Sequence, residues 1–226
     1  MSPEPFQFFT SFILPEPTGL RAATLPQLSR LLREVPEGCL YYHTHQFLLS
    51  HHYLTPEPTN DFAYWVGEVL GETALGKQLA QIDIMQHAVL QALRDALVQA
   101  IDEYLQHHPL ARFRFASEGE EFFFVKSRHV VLPTRYVAST LEEFVLAVQE
   151  VGIQSLYHHI FDARLRIGRP TNDLAVWLER LGETELAKEV AALDPYAHTL
   201  EALRAMLVGL VRRRLESLEK KDAPPQ

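Results

Sequence analysis

The sequence predicts a mostly α-helical fold in which one helical module is internally duplicated, and the two copies pack with pseudo-twofold symmetry around a minor central β element. Three observations carry this prediction: a repeated block of sequence, leucines at helical spacing, and a Phe- and Val-rich run at the start of each copy. The block Pro-Thr-Asn-Asp-Phe-Ala-Tyr-Trp at residues 58–65 returns as Pro-Thr-Asn-Asp-Leu-Ala-Val-Trp at residues 170–177. Self-similarity on this scale indicates a duplicated module.

The extent of the match sets the predicted domain organisation. The Leu-Gly-Glu-Thr run at residues 70–73 reappears at residues 181–184 after a one-residue gap, and the first copy carries a short insertion near residues 54–57. We expect the two copies to form one intertwined body, because neither copy looks self-sufficient. The predicted division is residues 1–108 for the first repeat, 109–121 for a linker, 122–219 for the second repeat and 220–226 for a frayed tail.

Each repeat begins with a β-like run. Residues 6–14 and 122–132 are rich in Phe and Val, and Pro15 and Pro133 are expected to end these runs because proline cannot donate to a strand ladder. An isolated two-stranded ribbon is marginal unless helices cover it. The two runs are therefore predicted to pair at the centre of the molecule as its minor β element.

Helices are predicted to follow each run in the same order. Thr24 and Thr140 are expected to cap a first helix whose leucines form one stripe, and a second helix begins near Leu40 or Ile153. A third helix starts at the Thr-Asn-Asp signal and ends at the glycine of Leu-Gly-Glu. A short fourth helix precedes a long last helix, which the pattern places at about residues 88–107 and about residues 200–219.

Composition excludes several classes of function. The 47% hydrophobic and 22% charged residues are typical of a soluble globular protein, and the net charge of −8 argues against nucleic-acid binding. The single cysteine, Cys39, fits a reducing compartment. The sequence begins without a signal peptide and contains no apolar run of the roughly 20 residues that a membrane span needs. We expect a cytoplasmic protein with no nucleic-acid or membrane partner and, since no Gly-rich phosphate loop is present, no cofactor.

Histidine is the strongest candidate for chemistry. Four of the 11 histidines fall within residues 43–52, and His45 and His52 lie on one face of the predicted helix. The first interpretation is a divalent-metal site with a hydrolytic water, formed by His43, His45, His52 and Asp61. The second is that these histidines are exposed or hydrogen-bonded in helix packing, because the cluster lacks a His-x-x-x-His pair.

Comparison of the copies narrows this set. The second copy keeps His159 opposite His43 but has Phe161 opposite His45. A duplicated metal site would keep its ligands in both copies or lose them together from one copy. We infer that the His43/His159 position is shared by packing or by a common small site, and that the other histidines are particular to the first copy.

The Asn-Asp pair at the start of the third helix is present in both copies, as is a tryptophan one turn later. A structural interpretation is available for both features, because Asn is a preferred N-cap, Asp complements the helix dipole and Trp commonly anchors helix packing. In the functional interpretation, the pair faces the Tyr-x-His of the preceding helix and binds a polar ligand, with Asp as a general base or hydrogen-bonding partner. The predicted ligand-binding residues are Tyr41, His43, Asn60, Asp61 and Trp65, with Tyr157, His159, Asn172, Asp173 and Trp177 in the second copy.

Several of these motifs together resemble a known family. They are Leu-Tyr-Tyr-His-Thr-His-Gln-Phe at residues 40–47, the Pro-Glu-Pro-Thr-Asn-Asp-Phe-Ala-Tyr-Trp block, and the later Pro-Thr-Asn-Asp with Leu-Gly-Glu. The family consists of bacterial and archaeal proteins catalogued only as a domain of unknown function, and the resemblance covers nearly the whole chain. It implies a duplicated, soluble, cytoplasmic protein and assigns no catalytic residue.

Three functions are open at this point. The leading hypothesis is a non-enzymatic helical module that binds a polar small molecule, a sugar or an anionic metabolite, or a partner protein, because no catalytic signature accompanies the repeated pairs. The alternative is a divalent-metal-dependent hydrolase that uses the His43–His52 cluster with Asp61. The third is a structural or regulatory subunit.

Overall fold

The computed structural model describes residues 4–46, 59–84, 89–169, 171–193 and 198–222, of which 62% are helical and 17% lie in strands. The first repeat contains β1 (Phe6–Ala22), α1 (Leu25–Glu34), α2 (Glu37–Tyr41), α3 (Asp61–Tyr64), α4 (Thr73–Ala80) and α5 (Leu90–His107). The second contains β2 (Phe122–Ala138), α6 (Leu141–Glu150), α7 (Ile153–Tyr157), α8 (Ala163–Ile167), α9 (Asp173–Arg180), α10 (Thr184–Ala191) and α11 (Leu200–Asp222). The described residues also form π-helical turns at Tyr42–Gln46, Trp65–Val69 and His158–Asp162 and a 3-10 helix at Pro109–Phe113. Within these ranges, no helix is both long enough and apolar enough to cross a bilayer.

The prediction of a mostly α fold with a minor central β element is wrong. β1 and β2 pair as one antiparallel two-stranded sheet, and each strand is 17 residues long, so the fold is αβ. Both strands also continue through Pro15 and Pro133, where the sequence predicted their ends. In a two-stranded sheet every strand keeps one open edge, and a proline whose missing N–H faces that edge breaks no ladder hydrogen bond.

The chain divides into two compact units whose limits differ from those of the repeats. We call Ile13–His129 the first-copy unit, and Met1–Phe12 with Val130–Gln226 the second-copy unit. The helices of each repeat are thus grouped with a strand segment of the other repeat. Residues 122–129 of β2, the internal arm, belong to the first-copy unit, and residues 6–12 of β1, the N-terminal arm, belong to the second-copy unit.

In the first-copy unit, the leucine stripe of α1 faces the core. The Thr24 hydroxyl caps this helix as predicted and accepts the N–H of Gln27 at 3.3 Å. Leu25 and Leu28 are fully buried, and α1 packs against α5. Phe124 of the internal arm belongs to the same hydrophobic core, so the arm is part of the packing of this unit.

The second-copy unit repeats this arrangement with its own residues. Thr140 caps α6 and accepts the N–H of Glu143 at 3.2 Å, and α6 packs against α11. Phe8 of the N-terminal arm and Phe144 of α6 are both fully buried, with their ring centroids 5.8 Å apart. The N-terminal arm therefore fills part of the second-copy core.

The one-residue gap between the repeats corresponds to a π-helical turn. In the first copy, the N–H of Leu70 donates to the carbonyl of Trp65, five residues back, at 3.1 Å. At the equivalent place in the second copy, the N–H of Leu181 donates to the carbonyl of Trp177, four residues back, at 3.0 Å. The extra residue of the first copy is thus accommodated by one widened helical turn, a feature that is frequent at functional sites.

Candidate functional site

His43 lies in the π-helical turn Tyr42–Gln46 and reaches the start of α3. Its Nδ1 is 2.7 Å from Oδ2 of Asp61, and its Nε2 accepts the backbone N–H of Val125 in the internal arm at 3.0 Å. A ring nitrogen that accepts a hydrogen bond carries no proton, so the proton of the uncharged ring lies on Nδ1 and is donated to Asp61. His43 therefore joins a helix start to a strand arm through both of its nitrogens.

The second-copy unit holds the same arrangement. Nδ1 of His159 is 2.8 Å from Oδ2 of Asp173, and Nε2 accepts the backbone N–H of Phe9 in the N-terminal arm at 2.8 Å. Phe9 and Val125 occupy equivalent positions of the repeat. We call each set of histidine, aspartate and arm amide an arm clamp.

The charges around the two arm clamps differ. Arg166 donates to Asp173 at 2.7 Å, whereas in the described part of the chain Asp61 forms no ion pair with an arginine or lysine. Burial lowers the pKa of His159 below its ordinary value, against the opposing effect of Asp173. Burial alone would raise the pKa of Asp173, but hydrogen bonds from His159 and Arg166 lower it overall. The second-copy clamp is therefore an uncharged imidazole against a carboxylate whose charge an arginine already balances.

Phenylalanines of the arms pack against both clamp histidines. The ring centroid of Phe6 lies 4.9 Å from that of His159, and the ring centroid of Phe122 lies 4.7 Å from that of His43. Both histidines are almost completely buried, with residue exposures of 2% for His159 and 4% for His43. Around His159, burial of this kind stabilises the uncharged form of the ring.

The two tryptophans hold the same arms through a second contact. The indole N–H of Trp65 donates to the carbonyl of Glu120 at 2.7 Å, and that of Trp177 donates to the carbonyl of Glu4 at 3.2 Å. Glu4 and Glu120 lie two residues before the two arms, in equivalent positions of the repeat. Both tryptophans thus have their only polar group bonded inside the protein.

Asn60 and Asn172 cap α3 and α9, as the sequence predicts. Asn60 Oδ1 accepts the N–H of Ala63 at 2.9 Å, and its Nδ2 donates to the carbonyl of Leu79 at 3.1 Å. Asn172 makes the equivalent bonds at 2.9 and 3.1 Å. Each asparagine therefore starts one helix and also ties it to the last turn of the next helix.

The predicted tyrosines are buried beside other rings. Tyr41 stacks on His45 at a centroid distance of 5.3 Å, and Tyr157 stacks on Phe161 at 4.6 Å. His45 thus takes the position of a phenylalanine in the second copy. Among the predicted ligand-binding residues, each histidine contacts its aspartate, and the asparagines and tryptophans bond to main-chain groups. These are contacts within the protein, and the role of the residues in ligand binding stays a prediction.

The predicted metal set of the first copy is only partly described. His43 and Asp61 are in contact, but His52 lies outside the described residues. Nδ1 of His45 is 2.9 Å from the Thr44 hydroxyl, which donates its own proton to a main-chain carbonyl and therefore accepts from His45. The metal-dependent hydrolase stays a prediction, which elemental analysis of the purified protein tests directly.

A different histidine–aspartate group has the spacing of metal ligands. His158, His159 and Asp173 each offer one ligand atom within 4.8 Å of the others. A metal on Nδ1 of His159 would place the ring proton on Nε2, where it would face the amide donor of Phe9. In the structure this group is therefore a hydrogen-bonded clamp, in which a metal on Nδ1 of His159 would cost the bond to Phe9.

An open groove of about 480 Å³ lies in the first-copy unit, between the helix with the π turn Trp65–Val69 and α4. A Cβ on Gly76 would lie 2.7 Å from the Cα of Gly67, so the two helices touch through their backbones. Polar side chains in the lining are those of Thr59, Glu68, Thr73, Lys77 and Gln81. In the second copy, Ala187 stands at the position of Gly76, and Gly67 falls at the one-residue gap between the repeats.

The second-copy unit contains a groove of about 390 Å³ lined by residues of α10 and α11. Two of its lining residues pair with each other, since Arg214 Nε donates to Glu183 at 2.6 Å. The equivalent Glu72 of the first copy accepts the hydroxyl proton of Tyr104 at 2.7 Å. The glutamate of Leu-Gly-Glu is thus hydrogen-bonded to the long last helix of its repeat in both copies.

Comparison with known proteins places this molecule in a family. A family model described as "Family of unknown function (DUF5752)" matches residues 3–212. The chain belongs to this family. A solved structure, "The structure of OrfY from Thermoproteus tenax", is similar to this chain: it is 31% identical, the match covers 93% of this chain and 95% of that chain, and the TM-score is 0.77. No curated protein matches the chain.

The structure adds site residues that the sequence reasoning missed. The amide partners of the clamps, on Phe9 and Val125, have no side-chain signature, since any residue except proline offers the same N–H. Two features of the sequence could have indicated the groove. They are the one-residue gap between the repeats and the glycines Gly67 and Gly76, which have no glycine counterparts in the second copy. His158 and Asp162 are also particular to the second copy, where the first has Tyr42 and Gln46.

Proposed function

We propose that this DUF5752 protein is a non-enzymatic helical module that binds a polar small molecule in the groove of the first-copy unit. The observation that carries the proposal is the groove itself, where a π turn and a glycine–glycine contact meet. Its volume of about 480 Å³ falls in the range of ligand sites in proteins. The flanking helices are fixed by the Asn60 cap, which favours a preformed site.

The polar lining favours a sugar or an anionic metabolite as the ligand. Lys77 offers an exposed ammonium group for a phosphate or carboxylate, while Thr59, Thr73 and Gln81 offer hydrogen bonds to hydroxyl groups. Glu68 accepts hydrogen bonds from hydroxyl or amino groups at the same groove. Binding through several such groups gives orientation and specificity at modest cost in desolvation.

The state of the repeated histidines supports binding rather than catalysis. Both ring nitrogens of His43 and of His159 are engaged, one with an aspartate and the other with a main-chain amide. A general base needs a lone pair that reaches the substrate, and these lone pairs accept from the arms. The residues that looked most catalytic in the sequence thus stabilise the fold, while the groove uses residues of the first copy.

A thermal-shift screen tests the proposal, because a ligand that binds only the native state raises its stability. The panel is neutral sugars, sugar phosphates and small carboxylates, applied to the wild-type chain. We expect at least one class to raise the Tm, and we expect Lys77→Ala or Gln81→Ala to remove that rise. Lys188→Ala is the matched control, because Lys188 is the equivalent lysine of the second copy.

Two outcomes would contradict the proposal. One is a panel in which no compound raises the Tm of the wild-type protein. The other is a Tm rise that survives both groove variants or is lost equally in Lys188→Ala, since the ligand would then bind elsewhere.

A further inference from the structure

We propose that the N-terminal arm, residues 6–12, is a pH-sensitive element of the second-copy unit, and that protonation of His159 at Nε2 breaks its hydrogen bond to the Phe9 amide and releases the arm from its seat. The inference is independent of the groove in the first-copy unit. It follows from the direction of the hydrogen bonds in the second-copy clamp.

The arm is held by its pairing with β2, by one fully buried ring and by several further hydrogen bonds. Phe8 is fully buried, and its carbonyl accepts the hydroxyl proton of Thr134 at 2.8 Å. Gln7 Nε2 donates to the carbonyl of Thr134 at 2.8 Å, and Ser11 Oγ donates to Asp162 Oδ2 at 3.4 Å. The hydrogen bond from Phe9 to His159 differs from these bonds in its acceptor. An imidazole ordinarily changes its charge between about pH 5 and pH 8.

Protonation reverses the role of the atom that holds the arm. In the uncharged ring, Nε2 accepts from the Phe9 N–H; in the imidazolium, Nε2 carries a proton that faces the same N–H. Two donors in contact repel, and both are buried away from water, so each loses its partner at once. Protonation of the ring therefore disfavours the seated arm.

The groups that face His159 come from three elements and from the arm. They are Asp173 at the start of α9, Arg166 in α8, His158 and Asp162 in the π-helical turn, and the apolar rings of Phe6, Phe8 and Phe9 in the arm. Asp173 favours the imidazolium, while burial, Arg166 and His158 oppose it, and the net effect lowers the pKa of His159. The stabilisation by the uncharged ring is complete above the ordinary imidazole pKa of about 6.5 and is lost as the pH falls through the lowered value.

His158 is a second histidine beside the arm, and its effect on the arm has to be distinguished from that of His159. Its Nδ1 is buried, makes no hydrogen bond within the described residues, and lies 3.6 Å from Oδ2 of Asp162, which also accepts from Ser11 of the arm. The Phe9 amide is bonded to His159 and not to His158. A variant at His158 therefore separates the two histidines experimentally.

Hydrogen exchange measured by mass spectrometry tests the proposal on the full chain. Protection of residues 6–12, corrected for the intrinsic pH dependence of exchange, is compared at about pH 7.5 and about pH 5, on either side of the ordinary imidazole pKa. We expect protection to fall by about tenfold or more, the change in population that loss of one buried hydrogen bond produces. In His159→Gln, whose amide oxygen can accept from Phe9 but does not titrate, we expect no such fall. In His158→Tyr, which introduces the residue found at this position in the first copy, we expect the fall to remain.

Arg166→Gln provides a second test that leaves His159 in place. Removing the guanidinium takes away a charge that disfavours the imidazolium, so the midpoint of the protection loss moves to higher pH. Arg166 is half exposed, so the substitution is compatible with folding. The proposal is overturned if the wild-type arm keeps its protection at about pH 5, if His158→Tyr rather than His159→Gln abolishes the loss, or if Arg166→Gln leaves the midpoint where it was.

Discussion

The first-copy and second-copy units hold their arms with the same clamp but differ in the charge beside the clamp and in the turn of the helix that follows it. In both units a histidine donates to the first aspartate of a capped helix and accepts an amide of an arm. In the part of the chain that the structure describes, an arginine pairs with the aspartate of the second-copy clamp alone, and the groove at Gly67 and Gly76 lies in the first-copy unit beside the π turn Trp65–Val69. The clamp that the repeats share therefore serves the fold, and the groove of the first-copy unit is where function is to be sought.

This difference changes the meaning of the repeated residues. From the sequence, retention of the histidine in both copies has two explanations, helix packing or a common small site. The clamps account for that retention by packing, because each unit takes its arm from the other repeat and fixes it through a main-chain amide. A group that must hold an arm is poorly placed to accept a proton during a reaction.

The largest effect is expected from removing the buried phenylalanine of each arm. Phe8 and Phe124 are almost completely buried in the second-copy and first-copy units. Phe8→Ala and Phe124→Ala should each lower the free energy of unfolding by about 3–5 kcal/mol, from lost burial and the cavity left behind. Denaturant titration of both variants measures this, and a cost near zero for either would show that its arm is not part of the core.

A smaller loss of stability is expected at the groove. Adding a methyl group at Gly76 and removing one at the equivalent Ala187 should both lower the free energy of unfolding. Gly76→Ala should destabilise the protein by about 1–3 kcal/mol, because its Cβ would meet the backbone of Gly67. Ala187→Gly at the equivalent position should cost about 1 kcal/mol, the ordinary helix penalty of glycine. A higher Tm for Gly76→Ala in thermal unfolding would contradict the close approach of the two helices that form the groove.

The smallest effect is expected at the caps of the first helix of each repeat. Thr24→Ala and Thr140→Ala each remove one side-chain acceptor from a helix start, which costs about 1 kcal/mol. Replacement of either threonine by serine keeps the acceptor and should restore most of the loss. Unequal costs in thermal unfolding would break the equivalence of the two units at this position.

The local parts of the fold could be predicted from the sequence. The caps at Thr24 and Asn60, and their equivalents, are set by residues within one helical turn, so short-range patterns suffice. Strand length could not be predicted in this way, because proline is compatible with the open edge of a two-stranded sheet. The grouping of each arm with the helices of the other repeat could not be predicted for a related reason. A hydrophobic run indicates that a strand forms, but not which helices the strand packs against.

The side chains of the candidate site could be predicted from the sequence, but their role in holding an arm could not. His43 and Asp61 were expected to face each other from adjacent helices, and the structure brings them into contact. Their third partner is a main-chain amide far along the chain, which no pattern of residue types marks. The groove, in contrast, lies where the two copies differ in length and in glycine content, so the gap between repeats was the more informative signal.

The central claim is that both clamp histidines are uncharged and carry their proton on Nδ1, leaving Nε2 to accept an arm amide. Imidazole ¹⁵N chemical shifts of His43 and His159, assigned with His43→Gln and His159→Gln, measure this directly at about neutral pH. We predict a protonated Nδ1 and a bare, hydrogen-bonded Nε2 for both residues. A protonated Nε2 in either ring would contradict the clamp in that unit.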